Sequence, residues 1–334
     1  MESQFAIAIC TYNPDLRLLA RLLNALLQII KSDTEKVDVI IVDNNSSPPL
    51  NSYSEVRDFL CEAPNSQCII ETKQGLTAAR CTAIKATLAS IVVFFDDDNE
   101  PAPDYLEILS QYFKKYPNVG IWGPGHIEVE YVDAVDLWFL DNKEKFQQRR
   151  RPFAYICEPA NWGQYYPNGT GFAVRRKILN KYLEAVENGN LQSNDRKGTQ
   201  LSSAGDVQIV WEGMKLGFAA GMIPILKCNH LIPISKANFS YMARLHFGTS
   251  SAYMPALYQS FPEKKEQDYN LPSKLQIHKR LVKLKIKQIL RPKRKHEISF
   301  EIASYIGSLY GIVKAIKSER TQEILNLAKS FKLL

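Results

Sequence analysis

A chain of 334 residues with 45% hydrophobic and 23% charged residues can build a sizeable core, as one large domain with an appendage or as two domains, and is too weakly charged for disorder. Its net charge of +7 is concentrated: ten Lys or Arg and no acid lie between Leu271 and His296, so the remainder carries −3. No apolar run reaches the roughly 18 uncharged residues of a spanning helix, the Met1–Cys10 segment does not read as a signal peptide, and six dispersed cysteines without a C-x-x-C pair predict reduced, mostly buried thiols rather than a disulfide or zinc framework.

In chain order, Phe5 to Ile9 is a short apolar strand, and Leu16 to Ile30 carries leucines at helical spacing. Val37 to Val42 is β-branched and apolar, Cys68 to Ile70 and Ser90 to Phe95 predict two more buried strands, and Leu76 to Leu88 is a helix between them. A helix over Tyr105 to Tyr116 precedes a strand at Val119 to Trp122. Continuous apolar strands alternating with amphipathic helices define an α/β class with a mostly parallel sheet, covered by helices on both faces. A glycine-bearing loop over 163–171 leads into Phe172 to Val174, and a helix over Gly205 to Leu216 ends at Gly217, a suitable C-cap. From Ser235 the pattern is helical, divided by Pro255, Pro262, Pro272 and Pro292. The expected domains are 1–261 and a basic helical C-terminal extension, 262–334.

Ligands of such sheets sit beyond the carboxyl ends of the strands, and there the chain is unusually polar: Thr11-Tyr12-Asn13-Pro14, Asp43-Asn44-Asn45-Ser46-Ser47 and Asp96-Asp97-Asp98-Asn99-Glu100-Pro101. Three crowded carboxylates at a strand end repel one another unless a cation or a hydrogen-bond network compensates. A hard divalent ion completed by phosphate oxygens is one solution, and a solvated acidic turn with Asp104 capping the next helix is the other. Asp43 suits a base N–H or a ribose hydroxyl, or else caps its own turn. Arg80 lies one turn into the helix begun by Gly75-Leu76-Thr77, where it meets a phosphate or forms an ordinary surface pair. Neither G-x-G-x-x-G nor a P-loop pattern occurs.

Together, Ala8 to Asn13, Ile41 to Ser47, Gly75 to Arg80, Phe94 to Pro101, Asn168 to Arg176 and Gly205 to Val210 resemble, in order over about residues 5–245, the family 2 inverting glycosyltransferases of the GT-A fold. The resemblance implies a Rossmann-like, mostly parallel sheet and a nucleotide diphosphate sugar donor, a UDP-sugar foremost. Thr11 and Asp43 would hold base and ribose, Arg80 the base or phosphates, and Asp96 and Asp97 the donor. Asp98, with Asp96 and His230, would hold Mn²⁺ or Mg²⁺, which helps the departing diphosphate carry charge away. Asp206 would be the general base on the acceptor hydroxyl, or else a cap for its helix. The family usually writes Glu-Asp where this chain has Gly205-Asp206, and Glu212 points to another helix face. Trp162, Tyr165 and Tyr166, with Gly169 and Thr170, are the acceptor-side candidates, or the aromatics close the core.

The Gln-x-x-Arg-Trp signature of processive synthases is absent, so one sugar per encounter is expected, delivered to a glycan or lipid-linked acceptor. Leu275, Ile277, Leu281, Leu284, Ile286 and Ile289 among the lysines of 271–296 outline an amphipathic helix for an anionic membrane surface. No nucleic acid partner is expected, because that stretch lacks stacking aromatics. The resulting location is cytoplasmic, peripheral on the inner face of the membrane. The rivals are a nucleotidyltransferase, which lacks its usual glycine-rich basic loop here, and a catalytically inactive nucleotide-sugar-binding scaffold.

Overall fold

The computed structural model describes residues 3–32, 36–140, 142–157, 166–192, 195–196, 201–266 and 271–334. Two compact units emerge, one from residues 1–188 with 206–234 and one from 189–205 with 235–334.

The first unit is built on one mixed sheet. Its elements are β1 (Phe5–Thr11), α1 (Leu16–Ser32), β2 (Val37–Asp43), α2 (Ser54–Glu62), β3 (Ser66–Ile70), α3 (Leu76–Lys85), β4 (Ile91–Phe95), β5 (Asn99–Pro101), α4 (Tyr105–Lys115), β6 (Val119–Tyr131), α5 (Leu137–Leu140), β7 (Arg149–Arg150), β8 (Tyr155–Cys157), β9 (Phe172–Arg175), α6 (Arg176–Glu187), α7 (Gly205–Lys215) and β10 (Ala219–Ile232). The strand order is β3-β2-β1-β4-β9-β6-β10-β5, with β7 on β6 and β8 on β10. Strands β3, β2, β1 and β4 run parallel, and β9 enters antiparallel between β4 and β6. The strands β1, β2 and β4 are apolar almost throughout because helices cover both of their faces. Ile7, Ile9, Val39, Ile41, Val93 and Phe95 pack with Leu19, Leu22 and Leu26 of α1 in one fully enclosed core. Each such side chain stabilises the fold by about 1.5–3 kcal/mol, so Ile7→Ala should cost about 2–5 kcal/mol.

The parallel register fixes what the strand ends present. Thr11 is opposite Asp43, and Ile9 is opposite Phe95, the last residue before the acidic triplet. On the other side Phe94 is opposite Phe172, which brings the 168–171 segment up to that triplet. Three elements differ from expectation. The strand at Cys68 to Ile70, expected to be buried, is the edge strand β3 and has no fully buried residue. The helix expected to reach Leu88 ends at Lys85, and the strand at Val119 continues to Tyr131 because its outer half pairs with β10 out to Ile232. All six cysteines are free thiols, as expected, but only Cys228 is fully buried.

The second unit contains α8 (Phe239–Ser260), α9 (Lys274–Leu290), α10 (Lys295–Ala315) and α11 (Thr321–Ser330). The units divide after Ile234 rather than at Pro262, because α8 packs along α10 and so belongs with the C-terminal helices. Gly307 and Gly311 make that approach close: a Cβ on either would lie 2.4 Å from Phe247 O or 2.7 Å from Ser251 O. Pro255 does not divide α8, as its sequence suggested, but sits inside it. The carbonyl it leaves without a helix donor, Ser251 O, is the one lying against Gly311. Buried Asp195 accepts the N–H groups of Ala204 (3.0 Å) and Gly205 (2.8 Å).

Candidate active site

The first wall of the site is a ledge of three loops tied together by asparagines. Asp43 Oδ1 accepts the Ser46 N–H and Oδ2 the Leu50 N–H, both at 2.8 Å, so this buried carboxylate holds its own turn in shape. Asn44 Oδ1 accepts the Gly75 N–H at 2.7 Å, while its Nδ2 donates to Glu71 O (3.1 Å) and Lys73 O (2.9 Å). Asn13 Oδ1 accepts the Ser47 N–H, and the Asn13 N–H donates to Ser46 Oγ, both at 2.9 Å. Asn13 and Asn45 have positive φ, 47° and 67°, a conformation asparagine tolerates better than most residues. The ledge sets the entry of α3 at Gly75. That helix turns Arg80 inward, where it is buried with its guanidinium 5.9 Å from the Phe172 ring centroid, and not on the surface.

The acidic triplet forms a tight turn rather than a solvated one. Thr11 Oγ1 donates to Asp97 Oδ2. Fully buried Asn99 accepts the Asp96 N–H through Oδ1 and donates through Nδ2 to Asp98 Oδ1, each at 3.0 Å. Asp98 is buried and its carbonyl accepts the Leu231 N–H at 2.8 Å. Asp104, a helix cap in the alternative reading of the triplet, makes no side-chain capping hydrogen bond to α4. β5 pairs with β10 so that Asn99 is opposite His230, which places His230 Nε2 3.5 Å from Asp98 Oδ2. His230 Nδ1 lies 2.8 Å from Phe146 O. A carbonyl accepts only, so Nδ1 carries the proton there and Nε2 is left to face the aspartate. Behind this turn Arg21 pairs with Glu100 (2.7 Å) and Glu130 (2.6 Å), and its guanidinium holds both carboxyls below the usual range.

The second wall is the 168–171 segment with the first turn of α7. Asp206 Oδ2 accepts the Gly169 N–H at 3.0 Å, and Oδ1 accepts the Val207 N–H at 2.9 Å. Three functional atoms converge on Gly169. A Cβ there would lie 3.1 Å from Arg80 Nη2, 3.9 Å from Asp206 Oδ2 and 4.0 Å from Asp96 Oδ2. Enclosure pushes the neighbouring Cys10 thiol up to about 12, with Arg80 and Asp96 acting on it in opposite senses, so it is protonated and unreactive. Gly171, at φ +69°, lets its carbonyl accept from Tyr105 Oη at 2.5 Å.

Arg149 supports the segment from behind, donating through Nε to Pro124 O and through Nη1 to Asn168 Oδ1, both at 3.0 Å. Its Nη2 is enclosed with no hydrogen-bond partner among the described residues, and desolvation lowers the guanidinium to about 10. Sequence inspection missed Asn44, Asn99, Tyr105 and Arg149. The asparagines follow the aspartates of their motifs and were open to suspicion, whereas Arg149 lies in a basic run, Gln147 to Arg151, that gives no local signal.

The structure therefore brings Arg80, Asp96 and Asp206 to one point, with Asp97, Asp98, Thr11 and His230 adjoining through the acidic turn. Thr170 is buried under the segment. Tyr166 is buried too and donates to Met214 Sδ at 3.4 Å, so it closes the core instead of offering a stacking face. Trp162 and Tyr165 lie outside the described residues. Glu212 is buried against Lys215 at 2.6 Å, away from the site.

A mixed, mostly parallel sheet with an acidic turn beyond β4 and a carboxylate at a helix start opposite it is the arrangement of a GT-A transferase. The glycosyl transferase family 2 profile matches residues 6–183. The chain belongs to glycosyl transferase family 2: it has the GT-A fold and is a glycosyltransferase. Among solved structures, the chain is similar to the mannosyltransferase PcManGT from Pyrobaculum calidifontis in complex with GDP-Man and Mn²⁺, at 17% identity over 100% of this chain and 81% of that one, TM-score 0.49. It is also similar to S. aureus TarS 1-349, at 13% identity over 99% and 88%, and to S. aureus TarS at 14% over 98% and 53%, both at TM-score 0.49. No curated protein matches the sequence.

Proposed function

We propose that this glycosyltransferase is metal-dependent, inverting and non-processive, and moves one sugar from a nucleotide diphosphate sugar to a hydroxyl of a glycan or lipid-linked acceptor. The observation that carries this is the convergence of Arg80, Asp96 and Asp206 on Gly169. It sets a cation for phosphate, a donor-side carboxylate and a base around a residue whose missing side chain lets the three approach one another. The nucleotidyltransferase alternative falls with family membership.

The residue types suit a hard divalent cation, although among the described residues no three such side chains are gathered closely enough to hold one without oxygens from the donor. Asp98 and Asp96 supply carboxylate oxygens, the ligand type that Mg²⁺ and Mn²⁺ favour. His230 presents a ring nitrogen whose partner nitrogen is fixed by Phe146 O, the outer contact typical of a metal-binding histidine. An ion held by these residues would neutralise charge on the departing diphosphate. Thr11 lines the base and ribose side, which Asp43 shapes from beneath through the turn that it holds. Arg80 meets the phosphates, and Asp97 is held toward the donor by Thr11. Trp162, Gly169 and Thr170 are assigned to the acceptor side. Asp206 takes the acceptor hydroxyl proton while the acceptor oxygen bonds the anomeric carbon from the face opposite the departing nucleoside diphosphate. The anomeric centre is inverted.

The proposed location is cytoplasmic, peripheral on the inner face of the membrane through 271–296. No helix among the described residues is long and apolar enough to cross a bilayer. A thermal-shift screen of nucleotide sugars, UDP-sugars first, with and without Mn²⁺, followed by assay of released nucleoside diphosphate, tests the proposal. A metal-dependent shift with diphosphate release supports it. Donor binding without turnover on any acceptor or water identifies a scaffold, and a shift indifferent to Mn²⁺ and Mg²⁺ removes the metal.

A further inference from the structure

The cations of the C-terminal unit divide into two populations. In α9 the inward side chains are Ile277, Leu281 and Leu284, all buried. Leu275, Val282, Ile286 and Ile289 follow one another at seven, four and three residues, the spacing of a single helix face. They are 62, 42, 50 and 77% exposed, and Leu290 beside them is 74% exposed. At about 100° per residue this stripe lies opposite the packed one. The sequence had merged the two sets into one apolar face, but packing uses only half of it.

The charges follow the same division. Lys274 pairs with Glu323 (3.3 Å), Lys287 with Glu301 (2.9 Å), and the Arg280 guanidinium sits 4.3 Å from the Tyr305 ring centroid. Lys279 and Lys283, on and beside the exposed stripe, have no acidic partner among the described residues, and the same holds for Arg291, Lys293 and Lys295 just beyond the helix. The cations facing the rest of the unit thus meet a carboxylate or an aromatic ring, as Lys285 does over Phe331, and Arg294 pairs with Glu297, whereas Lys279 and Lys283 beside the bare aliphatics meet neither among the described residues.

We infer that α9 is an interfacial docking helix for an anionic bilayer. Leu275, Val282, Ile286, Ile289 and Leu290 enter the boundary between headgroups and acyl chains, and Lys279 and Lys283 meet lipid phosphates. This deepens the peripheral location proposed for the enzyme and is independent of its transfer chemistry. A second copy of the same face would set lysines against lysines, and a nucleic acid would meet the charges but leave the aliphatics in water, with no Phe, Tyr or Trp in the helix for base stacking. An anionic bilayer satisfies both features at once.

The test is flotation of the full chain with phosphatidylcholine vesicles, with and without phosphatidylglycerol, across a salt series. Binding is expected on the anionic vesicles only, weakening with salt. Lys279→Gln with Lys283→Gln should lower vesicle affinity about thirtyfold at low salt and flatten the salt dependence. Ile286→Ser with Ile289→Ser should remove the component that persists at high salt, whereas Lys274→Gln with Lys287→Gln should change affinity by less than about twofold. Thermal melts confirm that each variant is folded, and calorimetry of donor binding on the same samples keeps the two proposals separate. Absence of the wild type from anionic vesicles at low salt, with donor binding intact, overturns the docking helix alone. So does equal binding by all three variants, or a concentration-dependent dimer abolished by the serine pair without vesicle binding.

Discussion

Asp206 Oδ2 accepts the backbone N–H of Gly169 at 3.0 Å across a sequence separation of 37 residues. The bond ties the first turn of α7 to the segment that enters β9, so the carboxylate is held by the chain it faces. Its other oxygen accepts the N–H of Val207. Asp206 is therefore a local anchor for both segments, and the proposed role as base is tested against that structural one.

Replacing Asp206 by Asn keeps its shape but sets an NH₂ group against one backbone N–H, at a stability cost of about 1–3 kcal/mol. Turnover should fall about 10²–10⁴-fold while donor affinity stays within about twofold, since the base acts on the acceptor. Steady-state assays well below the melting temperature separate the two effects. Near-wild-type transfer by the folded variant would reduce Asp206 to a structural clip.

For Asp98, substitution by Asn should leave the turn held by Asn99 but weaken metal-dependent donor binding about 100-fold. His230→Gln, which disturbs the neighbouring ligand position, should weaken it about tenfold. Isothermal titration with Mn²⁺ and a nucleoside diphosphate measures both, and unchanged affinities in Asp98→Asn would contradict the metal assignment.

Arg149 is a positioning residue. Its guanidinium is enclosed, and no acidic partner is found for it among the described residues. Arg149→Met should leave stability unchanged or raise it by about 1 kcal/mol. Loss of the Asn168 bond should lower kcat about tenfold at unchanged donor affinity, because Asn168 leads directly into Gly169. A melt combined with a kcat and KM comparison decides. An unimpaired kcat in a folded Arg149→Met protein rules the role out.

Arg21 links α1 to β5 and β6 through Glu100 and Glu130, whose carboxyls are both held below their ordinary value of 4.5. A depressed carboxyl contributes stability that is present above its unfolded value and lost as pH falls through the folded one. Arg21→Met should thus cost about 1 kcal/mol near pH 7, since the pairs are partly exposed, and progressively less as pH falls below about 4.5. Urea unfolding of both proteins at several pH values measures this, and a deficit that does not change with pH would mean the arginine acts through packing alone.

Much of the site was legible because it is local. The acids, Thr11 and the glycine that opens α3 lie immediately after strands whose apolar runs are unmistakable, and parallel sheets gather strand ends at one edge. The same locality explains the errors. Arg80 read equally as a surface residue, because helix spacing alone does not say which side of α3 is covered. The bulk of α9 read as one amphipathic helix, because hydrophobic periodicity does not distinguish a face buried against its own unit from one left bare.

By itself the sequence determined the α/β alternation, the identity of the strand-end carboxylates and the concentration of positive charge in 271–296, all properties of short segments with a single residue period. Only the tertiary structure decided which groups meet. The register of β1 on β2 and β4 sets Thr11 beside Asp43 and in reach of Asp97, and the antiparallel entry of β9 carries Gly169 to Arg80 and Asp206. The pairing of β5 with β10 delivers His230 to Asp98 from 132 residues away. Such contacts depend on strand pairing over long stretches of chain. That pairing is chosen by packing of the whole sheet and leaves no mark on the residues that it brings together.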